Sequence, residues 1–472
     1  MFKVKIYNPR TSDDLWKLYA VIAGLSAFAL CFLMPPFQVN DEFQHFFRSY
    51  QVSQGIGIGR VHGQVAGGYL PASLPALVID FLGSLNLYMV HPVVAEPMAH
   101  TFSFLSVPLN SSKKVFVDFS GAAVYAPTGY LPQAFGILVA RSLGAGALGC
   151  FFACRLANGI VAVVATSCAL RITPFGRYAF FVIGLMPTVL YVDASVSQDA
   201  DMIVAMLLFI ALCLRAYERK RWSFGDAAVA TVMGITFSIA KFAYIPILAL
   251  ALAPCFAYDA SHTRRARAMI PASIIAIGII CSIIWLVISH PLMVWHGNGH
   301  NAMRQLVFVL ENPGRFAAAV IWSIAGDGIF YLRSATSMFV GWPPEIALPM
   351  ESFLLILLSF LALPLACGDS GLHLDQRSRL LALSIVPICI FSPFLLIYIS
   401  FDPVGLFWMG GVQGRYFIPS LLLFALFLTT IKIDNMRPET VGASRIVIVT
   451  ISILNSMVLI ATICQRYQLI LT

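Results

Sequence analysis

Along this chain apolar residues come in unbroken blocks of about 20, separated by short polar stretches. Blocks of that length cover the hydrocarbon layer of a bilayer. They are continuous rather than alternating, which predicts helices and excludes a membrane β-barrel. Spans are expected at about 15–34, 147–170, 178–194, 201–216, 225–240, 243–258, 269–289, 349–366, 379–400, 416–431 and 444–464. The expected fold is therefore an all-α polytopic transmembrane bundle of about 11 spans, treated as one domain over 1–472 because no repeat or soluble terminal domain is visible.

Basic clusters orient the bundle. Lys3, Lys5, Arg10 and Lys17 precede the first block, which places the N-terminus in the cytoplasm. Arg215–Arg221, His262–Arg267, Arg377–Arg379 and Lys432–Arg437 are expected on the same side. The run 124–143 is short and carries Pro127 and Pro132. If it crossed, two of these basic loops would move outside, so it is expected to lie at the outer interface, as are 70–90 and 316–332. Two large outer segments result, 35–146, with interfacial helices, and 290–348.

Composition agrees: 59% of the 472 residues are hydrophobic and 11% charged, where soluble domains carry about 25% charged residues. The net charge of +8 is accounted for by basic loops, not by nucleic-acid binding. Ten cysteines lie in or beside apolar runs without a CxxC pair and read as small apolar residues.

Chemistry-bearing residues gather on the expected outer side. After the first span, PPFQVNDEFQHFFRSYQVSQG places Asp41, Glu42, His45 and Arg48 within eight residues. A carboxylate here suits general-base work or a divalent cation. VDASVSQDAD carries Asp193, Asp199 and Asp201. The last two either complement a helix dipole or face the same cavity as Asp41. Lys241 sits between two apolar runs, either a functional cation or a snorkelling anchor. In FWMGGVQGRYFIP, Arg415 has the fork that holds phosphate or carboxylate, among Gly410, Gly411 and Gly414, with Gln413 and Tyr416 beside it. Tyr125 and Tyr130, in VYAPTGYLPQ, belong either to an aromatic belt or to a sugar-stacking surface.

DEFQHFFRSYQVSQG, VYAPTGYLPQ, SVSQDAD and QGRYFIP, in that order, resemble the bacterial DUF2142 family of predicted membrane proteins, which is similar to the GT-C glycosyltransferase superfamily. The resemblance implies a GT-C-like fold in the bacterial inner (plasma) membrane, with the active face periplasmic or extracellular. It implies transfer of a sugar, with inversion, from a polyprenyl-phosphate donor to a cell-envelope glycan or lipid-linked acceptor. Asp41 and Glu42 would be the catalytic carboxylates, and Arg415 and Lys241 would bind donor phosphate. His45, Arg48, Tyr125, Tyr130, Asp199, Asp201, Gln413 and Tyr416 would surround the substrate. A divalent cation, Mg or Mn, would use Asp41 and Asp199 if one is needed. The alternatives are a transporter or flippase of a lipid-linked or anionic substrate, and a glycan ligase or polymerase.

Overall fold

The computed structural model describes residues 14–85, 98–110, 112–256, 264–294, 301–337, 339–340, 346–367, 374–431, 433 and 436–467. Lys3, Lys5, Arg10, His262 and Lys432 lie outside the described residues. Eight helices are long and apolar enough to cross a membrane: Leu15–Leu33, Ala147–Ile172, Gln198–Glu218, Ala268–Leu292, Pro313–Thr336, Met350–Cys367, Gln376–Ser400 and Pro438–Arg466. At 1.5 Å per residue the 19 residues of Leu15–Leu33 rise about 29 Å, close to the roughly 30 Å of hydrocarbon to be crossed.

Three expected spans take other forms. The run 178–194 is not one helix: Arg177–Gly184 and Pro187–Asp193 are separated by an extended Met186, because proline cannot continue the hydrogen-bond ladder. Leu185 and Met186 are each 1% exposed, so this irregular backbone is surrounded by protein. The run after Lys241 winds as a 3-10 helix, Phe242–Leu252, with Pro246 inside it, before Ala253–Phe256. The tenth expected span is the 3-10 turn Gly414–Phe417 followed by the 11-residue helix Ile418–Leu428.

The segment 124–143 forms the 3-10 turn Pro127–Tyr130 and the helix Leu131–Ser142. Twelve residues rise about 18 Å, too short to cross. Gly136 lets this helix lie against the backbone of Ala153, which a Cβ would overlap. The piece expected at 316–332 is longer than foreseen, the 24-residue helix Pro313–Thr336. Its Phe316 meets Tyr398 at 5.5 Å and its Tyr331 meets Phe394 at 5.7 Å. Pro313–Thr336 therefore packs against the C-terminal turns of Gln376–Ser400.

The fold is helical as expected apart from two small sheets. Arg60–His62, Val65–Pro71 and Lys114–Asp118 form an antiparallel three-stranded sheet, and Phe339–Val340 pairs with Ile346–Ala347. A buried aromatic cluster that includes Phe37, Phe46, Phe47, Phe119 and Phe151 fastens this cap to the bundle. At the far end of the bundle Arg171 lies over Trp16 (5.3 Å), Arg215 pairs with Asp226 (3.3 Å), and Arg445 donates to the Ala366 carbonyl (2.9 Å). Arg171, Arg215 and Arg445 thus lie at the end of the bundle opposite the turn that carries Asp41.

Candidate functional site

Four residues scattered from 41 to 415 meet at the end of the bundle where Leu15–Leu33 terminates. Lys241 Nζ lies 2.6 Å from Asp199 Oδ1, Arg415 Nε lies 3.0 Å from Asp199 Oδ2, and Arg415 Nη2 lies 3.7 Å from Asp41 Oδ2. Asp199 is thus the hub, with a cation on each oxygen. Local backbone explains each placement. Asp41 adopts φ 61°, a left-handed conformation that aspartate tolerates better than most residues, at the N-cap of Glu42–Ser53. Asp199 stands in the first turn of Gln198–Glu218, whose cap Ser197 accepts the Asp199 amide at 3.2 Å. Lys241 is the extended residue between an α-helix and a 3-10 helix, so the break in winding presents it. Arg415 follows Gly411 (φ 71°) and Gly414, which packs so closely on Tyr331 and Ser334 that no Cβ fits.

Exposure separates the four. The Asp41 side chain is 37% exposed, whereas those of Asp199, Arg415 and Lys241 are 5%, 8% and 14%. Three charges are fixed in a desolvated cluster, and the fourth faces outward. Tyr416 completes it: Lys241 Nζ sits 4.3 Å from its ring centre, and Tyr244 donates to its carbonyl at 3.0 Å.

Behind Asp41 the ring of His45 stacks on Tyr125 (6.0 Å, 20° between planes), and His45 Nδ1 shares a 2.7 Å hydrogen bond with the Tyr130 hydroxyl. Arg48 binds backbone rather than ligand, donating to the carbonyls of Gly57 (2.7 Å) and Tyr125 (3.0 Å) and to the Gln51 side chain. Burial pushes its guanidinium down to about 10, still charged at neutral pH. Burial also drives the His45 imidazole down to about 4, assisted by Arg415 and Lys241 and opposed by Asp41 and Asp199. The sign follows. Below pH 6.5 the unfolded chain takes up a proton that folded His45 refuses, so stability falls as pH drops from 6.5 towards 4. At about 1.4 kcal/mol per pH unit the loss is on the order of 3 kcal/mol. His45→Gln is expected to lose part of the wild-type drop in melting temperature between pH 7 and pH 4.5, measured in detergent. An identical drop in both proteins would refute the assignment.

Glu42 and Asp201 do not join the cluster. Both oxygens of Glu42 face Arg155 (2.8 and 2.7 Å), and one also accepts the Val196 amide at 2.9 Å; the Glu42 and Arg155 side chains are fully buried. Glu42 therefore ties segments together, a correction to its expected place beside Asp41. Asp201, two residues from Asp199 and so on another helix face, accepts from Gln133 at 3.0 Å, and Gln133 also reaches Asn158 at 2.9 Å. Arg155 escaped notice in the sequence although a lone arginine in ALGCFFACRLANGIVAVV is a strong signal.

A cavity of about 420 Å³ opens beside Arg415. Asn40, Asp327, Trp408, Gln413 and the Gly410–Gly411 backbone help to line it. A divalent cation does not fit the expected pair: Asp199 carries a cation on each oxygen, and among the described residues no group of three or more His, Cys, Asp or Glu side chains could hold a metal. Lys241 and Arg415 supply positive charge there instead.

These features define a polytopic helical membrane protein with an ion-paired polar site at one end of its bundle. The chain belongs to the DUF2142 family of predicted membrane proteins, whose profile matches residues 25–424 and so takes in all four site segments. No curated protein and no solved structure matches it.

Proposed function

We propose that this protein is a GT-C-like membrane glycosyltransferase, moving a sugar from a polyprenyl-phosphate donor to a cell-envelope glycan or lipid-linked acceptor on the outer face. The observation that carries this reading is the unequal pairing of Arg415, 3.0 Å from buried Asp199 but 3.7 Å from the more exposed Asp41. A donor phosphate arriving at Arg415 replaces Asp41 as its second anion. The freed carboxylate then accepts the proton of the attacking hydroxyl while the lipid phosphate departs from the opposite face of the anomeric carbon, inverting it. Arg415 and Lys241 offset the charge growing on the leaving phosphate, and Asp199 keeps both cations in position. Glu42 has no part in the chemistry.

An outer location is supported by the loops at the opposite end of the bundle, where Arg215, Arg219 and Arg377 lie, since basic loops stay in the cytoplasm. With Pro313–Thr336 at the outer interface, as the sequence leads one to expect, and the broken pair 177–193 crossing as a unit, about 11 crossings would bring Asp41, Lys241 and Arg415 to one side. Accordingly, a single cysteine at exposed Lys220 should react with a membrane-impermeant maleimide only in opened or inverted vesicles. Labelling of intact cells would reverse the orientation.

One feature favours transport: the helix break at Pro187 lies near Asp193, 1% exposed with an oxygen that lacks a hydrogen-bond partner. Reconstituting purified protein into vesicles with radiolabelled polyprenyl-phosphate sugars and envelope glycans separates the readings. Transfer of label with release of lipid phosphate is expected; label that moves across vesicle bilayers without bond cleavage would favour the flippase.

A further inference from the structure

The cavity beside Arg415 has more specific chemistry than a phosphate site requires. Of its lining residues two are charged, Arg415 and Asp327. Arg415 is already faced by two carboxylates, so the field of the cavity is set by Asp327. One helical turn further on, Tyr331 lines the same cavity. Trp408 forms another wall. Its indole lies directly on Gly326, where a Cβ would overlap it, yet the side chain remains 42% exposed. The segment that carries Trp408 is pinned on both sides of the cavity: the Met409 amide donates to Ser323 Oγ (3.0 Å) and the Gly414 amide to Ser334 Oγ (3.1 Å). The result is an aromatic wall on a pinned segment and a carboxylate, with Arg415 lining the same cavity.

We propose that this cavity is a glycosyl subsite selecting a neutral or amine-bearing monosaccharide and rejecting uronic acids. The proposal rests on the donor reading above and deepens it. The C–H face of a pyranose stacks on Trp408, and two hydroxyls, or a hydroxyl and an ammonium, donate to Asp327. The anomeric phosphate reaches Arg415. A sugar carboxylate would be brought against Asp327 in a partly desolvated space, where like charges repel strongly. The volume lies at the low end of ligand pockets, roughly enough for one sugar ring and its phosphate, not for an oligosaccharide.

Binding rather than turnover tests this. Wild type, Asp327→Asn, Trp408→Ala and Arg415→Ala are titrated with farnesyl phosphate, farnesyl phosphoryl glucose and farnesyl phosphoryl glucuronate in nanodiscs. Wild type should bind the glucosyl lipid about tenfold more tightly than farnesyl phosphate, and the glucuronosyl lipid no more tightly. Asp327→Asn should narrow the gap between the two glycosyl lipids at least about fivefold with farnesyl phosphate affinity unchanged; Trp408→Ala should remove the glucosyl preference alone. Equal binding of all three lipids by wild type, with affinity lost in Arg415→Ala, would overturn the sugar subsite and leave the phosphate site standing. Failure of every lipid to bind would overturn both. Discrimination against glucuronate that persists in Asp327→Asn would exclude Asp327 as its source.

Discussion

Arg155→Ala is expected to yield a protein that scarcely folds, although Arg155 touches no part of the proposed chemistry. Its guanidinium forms a two-point pair with Glu42 and also donates to the carbonyls of Cys31 (3.0 Å), Met34 (2.6 Å) and Pro35 (3.1 Å). Those carbonyls belong to the end of the first helix and the turn beyond it, which would otherwise be left with unmet acceptors in a dry interior. Glu42 in turn accepts the Val196 amide, so one ion pair joins the first helix, the cap and the turn before Gln198–Glu218. Neither side chain has any solvent access, so no water can replace the lost partner. Removing one partner of such a pair costs about 3–5 kcal/mol, against a total stability of about 5–15 kcal/mol. Fluorescence-detected size exclusion and a thermal scan should show aggregated or strongly destabilised protein, with Glu42→Ala nearly as severe. A wild-type melting temperature in Arg155→Ala would disprove the assignment.

Asp41→Asn, one residue from Glu42, should have the opposite phenotype: normal folding and a loss of about 10²–10⁴ in transfer rate. The amide is isosteric, the site is partly solvated, and the ion pair lost to Arg415 is long, so little stability depends on it. Proton acceptance is lost. Arg415→Ala should reduce the rate at least as far, by about 10²–10³ for the missing charge and more for disordered phosphate. Because Asp199 would then keep Lys241 as its sole paired cation, this variant should also melt earlier than Asp41→Asn. Initial rates and melting curves on the same preparations check both statements. Wild-type turnover by Asp41→Asn would remove Asp41 as the base.

Much of this was legible in the sequence because lipid imposes harsh rules. Length and apolarity locate the long helices, and lone charges beside them stand out. Asp41, Asp199, Lys241 and Arg415 were all visible on that ground, and they converge. Pairing was not legible. Asp41 and Glu42 look alike as letters, yet one faces outward and the other is locked to Arg155, 113 positions away. The break at Pro187 was hidden because the residues on both sides of it, 178–186 and 189–192, form one apolar run. The three-stranded sheet gave little warning, since VAGGYLP carries no clear alternation and its glycines serve close packing, Gly67 on the strand Lys114–Asp118 and Gly68 on Gln51. Asp327 and Trp408 were overlooked because their meaning depends on the packing of the segment 408–414 against Pro313–Thr336, which no local pattern records.

An experimental structure of the protein with a polyprenyl-phosphate sugar bound tests the central claim most directly. The account predicts the phosphate within hydrogen-bonding distance of Arg415, the sugar ring against Trp408, and Asp41 turned from Arg415 towards the anomeric carbon. A donor phosphate seated at the basic end of the bundle, or one held without contact to Arg415, would contradict it.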